Sequence, residues 1–171
     1  ASDVYKRQKY GFPVTINRFA NFYGPAQQLY RIIPKTIISL WNNRTLPLHG
    51  GGTSIRAFIY GTDVAGGIDA SIMEGKVGQI YHFSTEPFIS IHDLVFQIYE
   101  KMNMTNLDLI EVVSDRPNKD SAYLMDSTKA RSELGWLPKV SLDEGIQNTI
   151  NYLVTNMNAV NSMSLEYIHQ R

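Results

Sequence analysis

The sequence predicts an α/β fold, formed by the last parallel strands of a larger sheet and a smaller lobe beside them. Apolar runs with strand character alternate with segments of helical period along the chain, the pattern of parallel α/β architecture. Phe12 to Pro25, FPVTINRFANFYGP, reads as a buried strand with Val14 and Ile16 flanked by polar residues, ending in a glycine-proline loop. Strands of that kind sit at the carboxyl edge of parallel sheets, where ligands dock. This one comes about a dozen residues into the chain, so we expect the C-terminal half of a larger α/β enzyme.

The elements follow in order. A helix is predicted over Ile32 to Asn43, with Pro34 in the first turn, where a missing N–H costs little, and Ile33, Ile37, Leu40 and Trp41 on one face. Leu46 to His49 and Ile55 to Tyr60 read as strands that could pair as a hairpin across Gly50-Gly51-Gly52. Thr62 to Glu74 reads as a helix with Val64, Ile68 and Ile72 inward, and its Gly66-Gly67 pair costs about 1 kcal/mol per glycine or marks close packing. Gln79 to Ser84 is a strand. Ser90 and Asp93 open a helix through Met102 that turns Leu94, Val95 and Ile98 inward. Leu109 to Val113 is a further strand. Asp126 caps a short helix ended by Gly135. Ser141 and Glu144 open the last helix, with Leu142, Ile146, Ile150 and Leu153 on one face to about Thr155.

Three segments are expected along the chain. Residues 1–8 lack period, and DVYKRQ resembles a translated sequencing-adaptor end, so we set them apart as a non-native leader. Residues 9–157 carry the fold, and 158–171 read as a loosely held tail. Tyr5 and Lys9 form YxxxK, but Lys9 abuts Tyr10-Gly11 and leaves no room for a supporting helix, so we read the match as coincidence.

Composition narrows the function. Lys plus Arg and Asp plus Glu number 16 each, which argues against nucleic acid or an anionic membrane as the main partner. No run of 18 apolar residues spans a bilayer. With no cysteine, thiolate metal sites and a thiol nucleophile are excluded, and a cytoplasmic setting fits. The four histidines lack metal-ligand spacing, so no metal site is expected. Gly50 to Gly52 is read as a turn, since neither GxGxxG nor GK[ST] is present there.

Three arginines and an asparagine stand at element ends: Arg31, Arg56, Arg116 and Asn21. Arg56 lies within an apolar strand, so it must either pair, with Asp63 or Asp69 in reach by spacing, or hold an anion. Arg116 either pairs with Asp115 or Asp120 or grips a ligand. Arg31 is a helix-surface residue or a contact. Asn21 forms an Asx turn or contacts a ligand at the strand end. The guanidinium fork matches phosphate oxygens bidentately, so the set suits a diphosphate.

RFANFYGP, RIIP, LPLHGGGTSIRAFIYGTDVA, SDRPNKD and YLMDSTKARSELGWLPKVSLDEGIQNTINYL, in this order, resemble the C-terminal half of extended short-chain dehydrogenases/reductases, in particular the NAD-dependent nucleotide-sugar epimerase/dehydratase family and its 4,6-dehydratases. The resemblance covers Lys9 to about Val154. It implies an extended Rossmann-type enzyme whose cofactor, NAD, is bound mainly by an N-terminal half. For a dTDP-glucose-like substrate it implies oxidation at C4, loss of water across C5 and C6, and return of the hydride to C6. The C4 ketone acidifies the C5 proton, which makes the elimination feasible. The expected catalytic residues match nothing here, so the catalytic set is none and the chain alone is expected to be inactive.

By matching position, the resemblance implies that Phe19 lines the nicotinamide side and Asn21 contacts the substrate phosphate. Arg31 stands where the family has a phosphate-contacting Lys. Pro47 and His49 border the base, His49 replacing an aromatic Tyr. Arg56 and Arg116 grip the diphosphate, with Lys119 at its edge. The implied partner is a nucleotide-diphosphate sugar, and the implied full-length protein a homodimer. His82 replaces a usual Asn, Gly61 an acidic residue, and Ala26 to Tyr30 departs from the common loop. An epimerase or decarboxylase of the same superfamily, or a non-catalytic nucleotide-binding module, remains open.

Overall fold

Parallel pairing between strands far apart in sequence organises the chain. The computed structural model describes residues 2–115 and 120–166. In chain order it has α1 (Ser2–Tyr10), β1 (Ile16–Phe19), β2 (Asn21–Tyr23), α2 (Ile32–Trp41), β3 (Leu46–His49), β4 (Ile55–Arg56), β5 (Phe58–Tyr60), α3 (Gly61–Glu74), β6 (Ile80–Phe83), β7 (Ile89–Ser90), α4 (Ile91–Lys101), β8 (Ile110–Val113), β9 (Ala122–Tyr123), α5 (Thr128–Leu134), α6 (Leu142–Thr155) and α7 (Met157–Val160). β1 pairs with β6, β2 with β5 and β3 with β8, all parallel. β4 lies between antiparallel β7 and parallel β9.

The opening strand changes partner along its length. Ala20 N–H donates to Phe83 O at 2.9 Å, and the next amide, Asn21 N–H, donates to Ala57 O at 3.2 Å. The expected Ile55 to Tyr60 strand breaks at the same level, at buried Ala57, into β4 and β5. The hairpin expected between β3 and Ile55–Tyr60 does not form. Gly50, Gly51 and Gly52 have φ of 58°, 62° and 71°, and carry the chain through a 3-10 turn away from β3. A Cβ on Gly52 would lie 2.7 Å from His92 N, so the turn presses against the start of α4. β3 is left to pair with β8.

Two apolar clusters fill the interior. The larger packs α2, α4, α6 and α7 around Tyr23, with Ile37, Leu94, Ile98 and Ile146 fully buried. The second gathers Ile59, Tyr81, Phe83, Leu134 and Trp136. Both serine N-caps are present: Asp93 N–H donates to Ser90 Oγ at 3.0 Å and Glu144 N–H to Ser141 Oγ at 3.1 Å. Asp126 accepts from Thr128 N–H at 2.8 Å, and Gly135 ends α5 in the left-handed region.

Other expectations are corrected. Residues 2–10 form a helix, and Arg7 packs onto Gly78. Lys9 lies in the last turn of that helix, so no further helical turns follow it, and Tyr5 and Lys9 sit one turn apart with Lys9 Nζ 5.3 Å from the Tyr5 ring. In α3 only Val64 of the expected inward face packs against the second cluster. Ile68 and Ile72 are exposed, while Asp63, Gly67 and Ser71 are buried. Small side chains let α3 approach the sheet, where a Cβ on Gly67 would come within 2.8 Å of the Phe83 ring. Trp41 is also exposed. Part of the tail is docked, since Val160 is buried and partly buried Leu165 packs against the larger cluster.

The junction between the clusters is polar. Asp63 is buried, and its carboxylate accepts Lys139 N–H at 2.9 Å and Val140 N–H at 3.1 Å. Its backbone carbonyl accepts the Trp136 indole N–H at 3.1 Å. Replacing Asp63 with Ala leaves two backbone donors without their acceptor. We expect Asp63→Ala to cost about 2–4 kcal/mol, read as a lower urea midpoint with an unchanged slope. An unmoved midpoint would show that the amides find other partners.

Tyr23 brings a buried hydroxyl to the larger cluster and donates to Leu142 O at 3.3 Å. Burial, followed by the neighbouring Tyr60, Asp63, Glu144 and Asp143 charges, raises its pKa well above the ordinary 10.0. The folded state therefore holds the proton that the unfolded chain releases near pH 10. This contribution is intact below that pH and is lost as pH rises above it. Stability should fall more gently above pH 10 in Tyr23→Phe than in the wild type, as followed by urea midpoints across alkaline pH.

Candidate functional site

A cleft of about 930 Å³ opens where β1 hands over to β2. That volume lies within the range of about 300–1,000 Å³ that holds small-molecule ligands. One wall is the Phe19 to Tyr23 stretch, another the loop and first turn from Gln27 to Lys35, and a third is β3 with Arg56, Phe58 and Ile91.

The structure brings six of the sequence-derived residues to this cleft: Phe19, Asn21, Arg31, Pro47, His49 and Arg56. The other two, Arg116 and Lys119, lie outside the described residues. Lys35, Tyr30 and Gln27 line it as well and were not among the candidates. Lys35 follows Arg31 by one helical turn, a spacing that could have signalled it. Tyr30 and Gln27 carried no signal beyond their place in an unusual loop.

Each side chain is set by its element. Phe19 ends β1 and stacks on Phe83, with centroids 4.9 Å apart. Asn21 opens β2, and its Nδ2 donates to Ala57 O at 3.2 Å. This bond ties the side chain across the strand break instead of forming an Asx turn. Arg31 stands at the N-cap of α2 with its guanidinium 5.4 Å from the Tyr30 ring centre. Pro47 and His49 occupy β3 on the face of the half-buried positions. His49 Nδ1 lies 3.2 Å from Ser114 O. A carbonyl only accepts, so the proton of that bond belongs to Nδ1.

Arg56 answers the alternative posed for it. Asp63 is engaged by the Lys139 and Val140 amides, so the predicted ion pair with it does not form. Arg56 instead donates from Nη1 to Ile55 O at 2.7 Å and from Nη2 to Asp120 O at 2.8 Å. Carbonyls orient a guanidinium without neutralising it, and these bonds use two of its five N–H groups.

The electrostatic character follows. Arg31, Lys35 and Arg56 line the cleft, and no described carboxylate does. In a chain of zero net charge this local excess marks a site for an anion. Tyr5 and Lys9, exposed on α1, do not line it. On this geometry, Arg56→Ala should weaken the binding of inorganic pyrophosphate about tenfold, the loss of a charged hydrogen bond. Isothermal titration checks this, and equal affinities would remove Arg56 from the site.

Comparison with known proteins gives the cleft a context. The family model described as GDP-mannose 4,6 dehydratase matches residues 4–149. The matched range begins at residue 4, within the segment 1–8 read from the sequence as a leader. The human protein dTDP-D-glucose 4,6-dehydratase is 38% identical over 154 residues, covering 87% of this chain and 44% of that protein. This chain thus spans less than half the length of that relative. The structure of dTDP-glucose 4,6-dehydratase from Bacillus anthracis in complex with NAD superposes with a TM-score of 0.85 at 28% identity, over 91% of this chain and 49% of that one. UDP-glucose 4-epimerase from Thermotoga maritima, solved with UDP-glucose, superposes with a TM-score of 0.84 over 90% of this chain and 50% of that one. At 24% identity the likeness to the epimerase is one of fold.

Proposed function

We propose, from the premise that this chain belongs to the GDP-mannose 4,6 dehydratase family, that its cleft is the substrate-holding part of an NAD-dependent nucleotide-sugar 4,6-dehydratase. The observation that carries the reading is the cleft itself, with Arg31, Lys35 and Arg56 and no described carboxylate. A pyrophosphate carries its negative charge on oxygen acceptors, which suits these donors.

The remaining roles divide along the cleft. Arg56, oriented by Ile55 O and Asp120 O, holds the diphosphate from the β4 side. Arg31 and Lys35 face it from α2. Pro47 and His49 form the wall against the base, and Asn21, fixed to Ala57 O, stands at the phosphate nearest the reacting sugar. Arg116 and Lys119 complete the set in the proposal.

NAD, when bound, accepts the hydride from the sugar and gives it back. This chain offers it one aromatic wall, Phe19, whose ring is braced by Phe83. That fits the nicotinamide side of a cofactor held mainly by other residues. What this chain does itself is bind and orient the substrate. A homodimeric full-length protein and a cytoplasmic location belong to the same proposal and rest on the family resemblance. An epimerase is the second reading, favoured by the shared fold of the Thermotoga maritima enzyme.

Isothermal titration should show this chain binding dTDP and dTDP-glucose, with affinity falling as salt rises, because charge holds the ligand. Absorbance should show no NADH when the purified chain is mixed with NAD and dTDP-glucose. A folded chain that binds neither nucleotide overturns the proposal. NADH formation would show that the chain carries catalytic groups of its own.

A further inference from the structure

The loop between β2 and α2 contains a polar atom with no partner among the described residues. Gln27 lines the cleft. Its Nε2 donates to Phe22 O at 2.6 Å, and a carbonyl can only accept, so the amide orientation is fixed. Its Oε1 is buried and receives no hydrogen bond among the described residues. A buried acceptor without a donor is rare in folded proteins and calls for a missing partner.

The backbone holds Gln27 in place at a cost. Gln27 N–H donates to Gly24 O at 3.3 Å, closing a turn over Pro25 and Ala26. Ala26 sits at φ 63°, a left-handed conformation that alanine rarely takes. Such strained positions gather at ligand sites. Two independent features, the strained residue and the orphaned acceptor, therefore fall side by side on one cleft wall.

The chemistry of the missing partner follows from the acceptor. A pyrophosphate presents acceptors only, and an amide oxygen would repel it. The partner must bring an O–H or an N–H. The base end of the cleft is the β3 wall with Pro47 and His49, whereas Gln27 is tied to β2, the strand that carries Asn21. A donor at that end is a hydroxyl of the sugar.

We infer that Gln27 is a specificity-determining residue whose Oε1 accepts a hydrogen bond from a sugar hydroxyl of the substrate. This inference rests on the nucleotide-sugar reading above. It assigns to this chain a sugar-reading group within the loop between β2 and α2.

The test is isothermal titration of the chain and of Gln27→Met, an unbranched side chain of similar length, with dTDP, dTDP-glucose and monodeoxyfluoro analogues of dTDP-glucose. Thermal melts of both proteins establish that they are folded, and Gln27→Leu serves as a second variant. The variant should bind dTDP as the wild type does and dTDP-glucose about tenfold more weakly, the scale of one lost hydrogen bond. One fluorinated analogue should lose a similar factor on the wild type and nothing further on the variant. Equal loss for dTDP and dTDP-glucose would show that Gln27 only shapes the loop. No loss for either would leave its acceptor to water. Both outcomes overturn the inference while leaving the nucleotide-sugar reading intact. A folded wild-type chain that binds neither dTDP nor dTDP-glucose removes that reading and this inference together.

Discussion

The buried carboxylate of Asp63 fixes the frame on which the rest of the structure depends. It sits in the first turn of α3 and accepts from the Lys139 and Val140 amides, 76 and 77 residues further along the chain. An ionised group in a protein interior persists only when its lone pairs are met by donors. Here the donors are backbone amides from the segment between α5 and α6. With Trp136 donating to the carbonyl of the same residue, that segment is bound to the start of α3 at both side chain and backbone. Trp136 belongs to the second apolar cluster, and partly buried Val140 packs against the larger one. Asp63 thereby sets how the two clusters meet.

The cleft arises at the same junction. β1 pairs with β6 beside the second cluster, and β2 pairs with β5 beside the larger one. The change of partner occurs between Ala20 and Asn21, and a matching break falls at Ala57. Small side chains at both breaks let the strands diverge without leaving a void. The residues next to each break, Asn21 and Arg56, then line the opening. Asn21 is bonded to the carbonyl of Ala57 and Arg56 to that of Ile55, so strand geometry and ligand-facing groups are coupled.

Much of this was legible in the sequence where the signal is local. The Ser90 and Ser141 caps, the Gly135 stop and the inward faces of α4 and α6 follow from short-range periods and side-chain chemistry. Six candidate residues could be brought to one cleft because strands β1 to β4 and the start of α2 carry them. The failures are those of long-range pairing and close packing. Nothing local distinguishes a β3 that turns back on β4 from one that pairs with β8. Hydrophobic spacing in α3 pointed to Ile68 and Ile72, but close approach to Phe83 needs Gly67, so size outweighed polarity. The helix at residues 2–10 lacked an apolar stripe to announce it. Docking of Met157 and Val160 depends on a surface assembled from α2, α4 and α6, which no window around residue 158 contains.

The cleft's chemistry is weighted toward holding rather than reacting. Its cations are permanent charges: arginine does not deprotonate in proteins, and Arg56 is oriented by carbonyls that leave its charge intact. Phe19 and Asn21 are fixed by stacking and by a backbone bond, which lowers the ordering cost of binding. A site built this way draws its binding energy from the unreactive part of an anionic ligand. That energy can orient a reacting group held against other residues, and it favours the transition state only so far as it enforces that orientation. A cleft that holds an anion without reacting with it does not fix the chemistry done beside it, and the same fold is found in a dehydratase and in an epimerase. Discrimination between sugars has to come from neutral groups reaching the hydroxyls, since a point charge reads phosphate alike whatever sugar it carries.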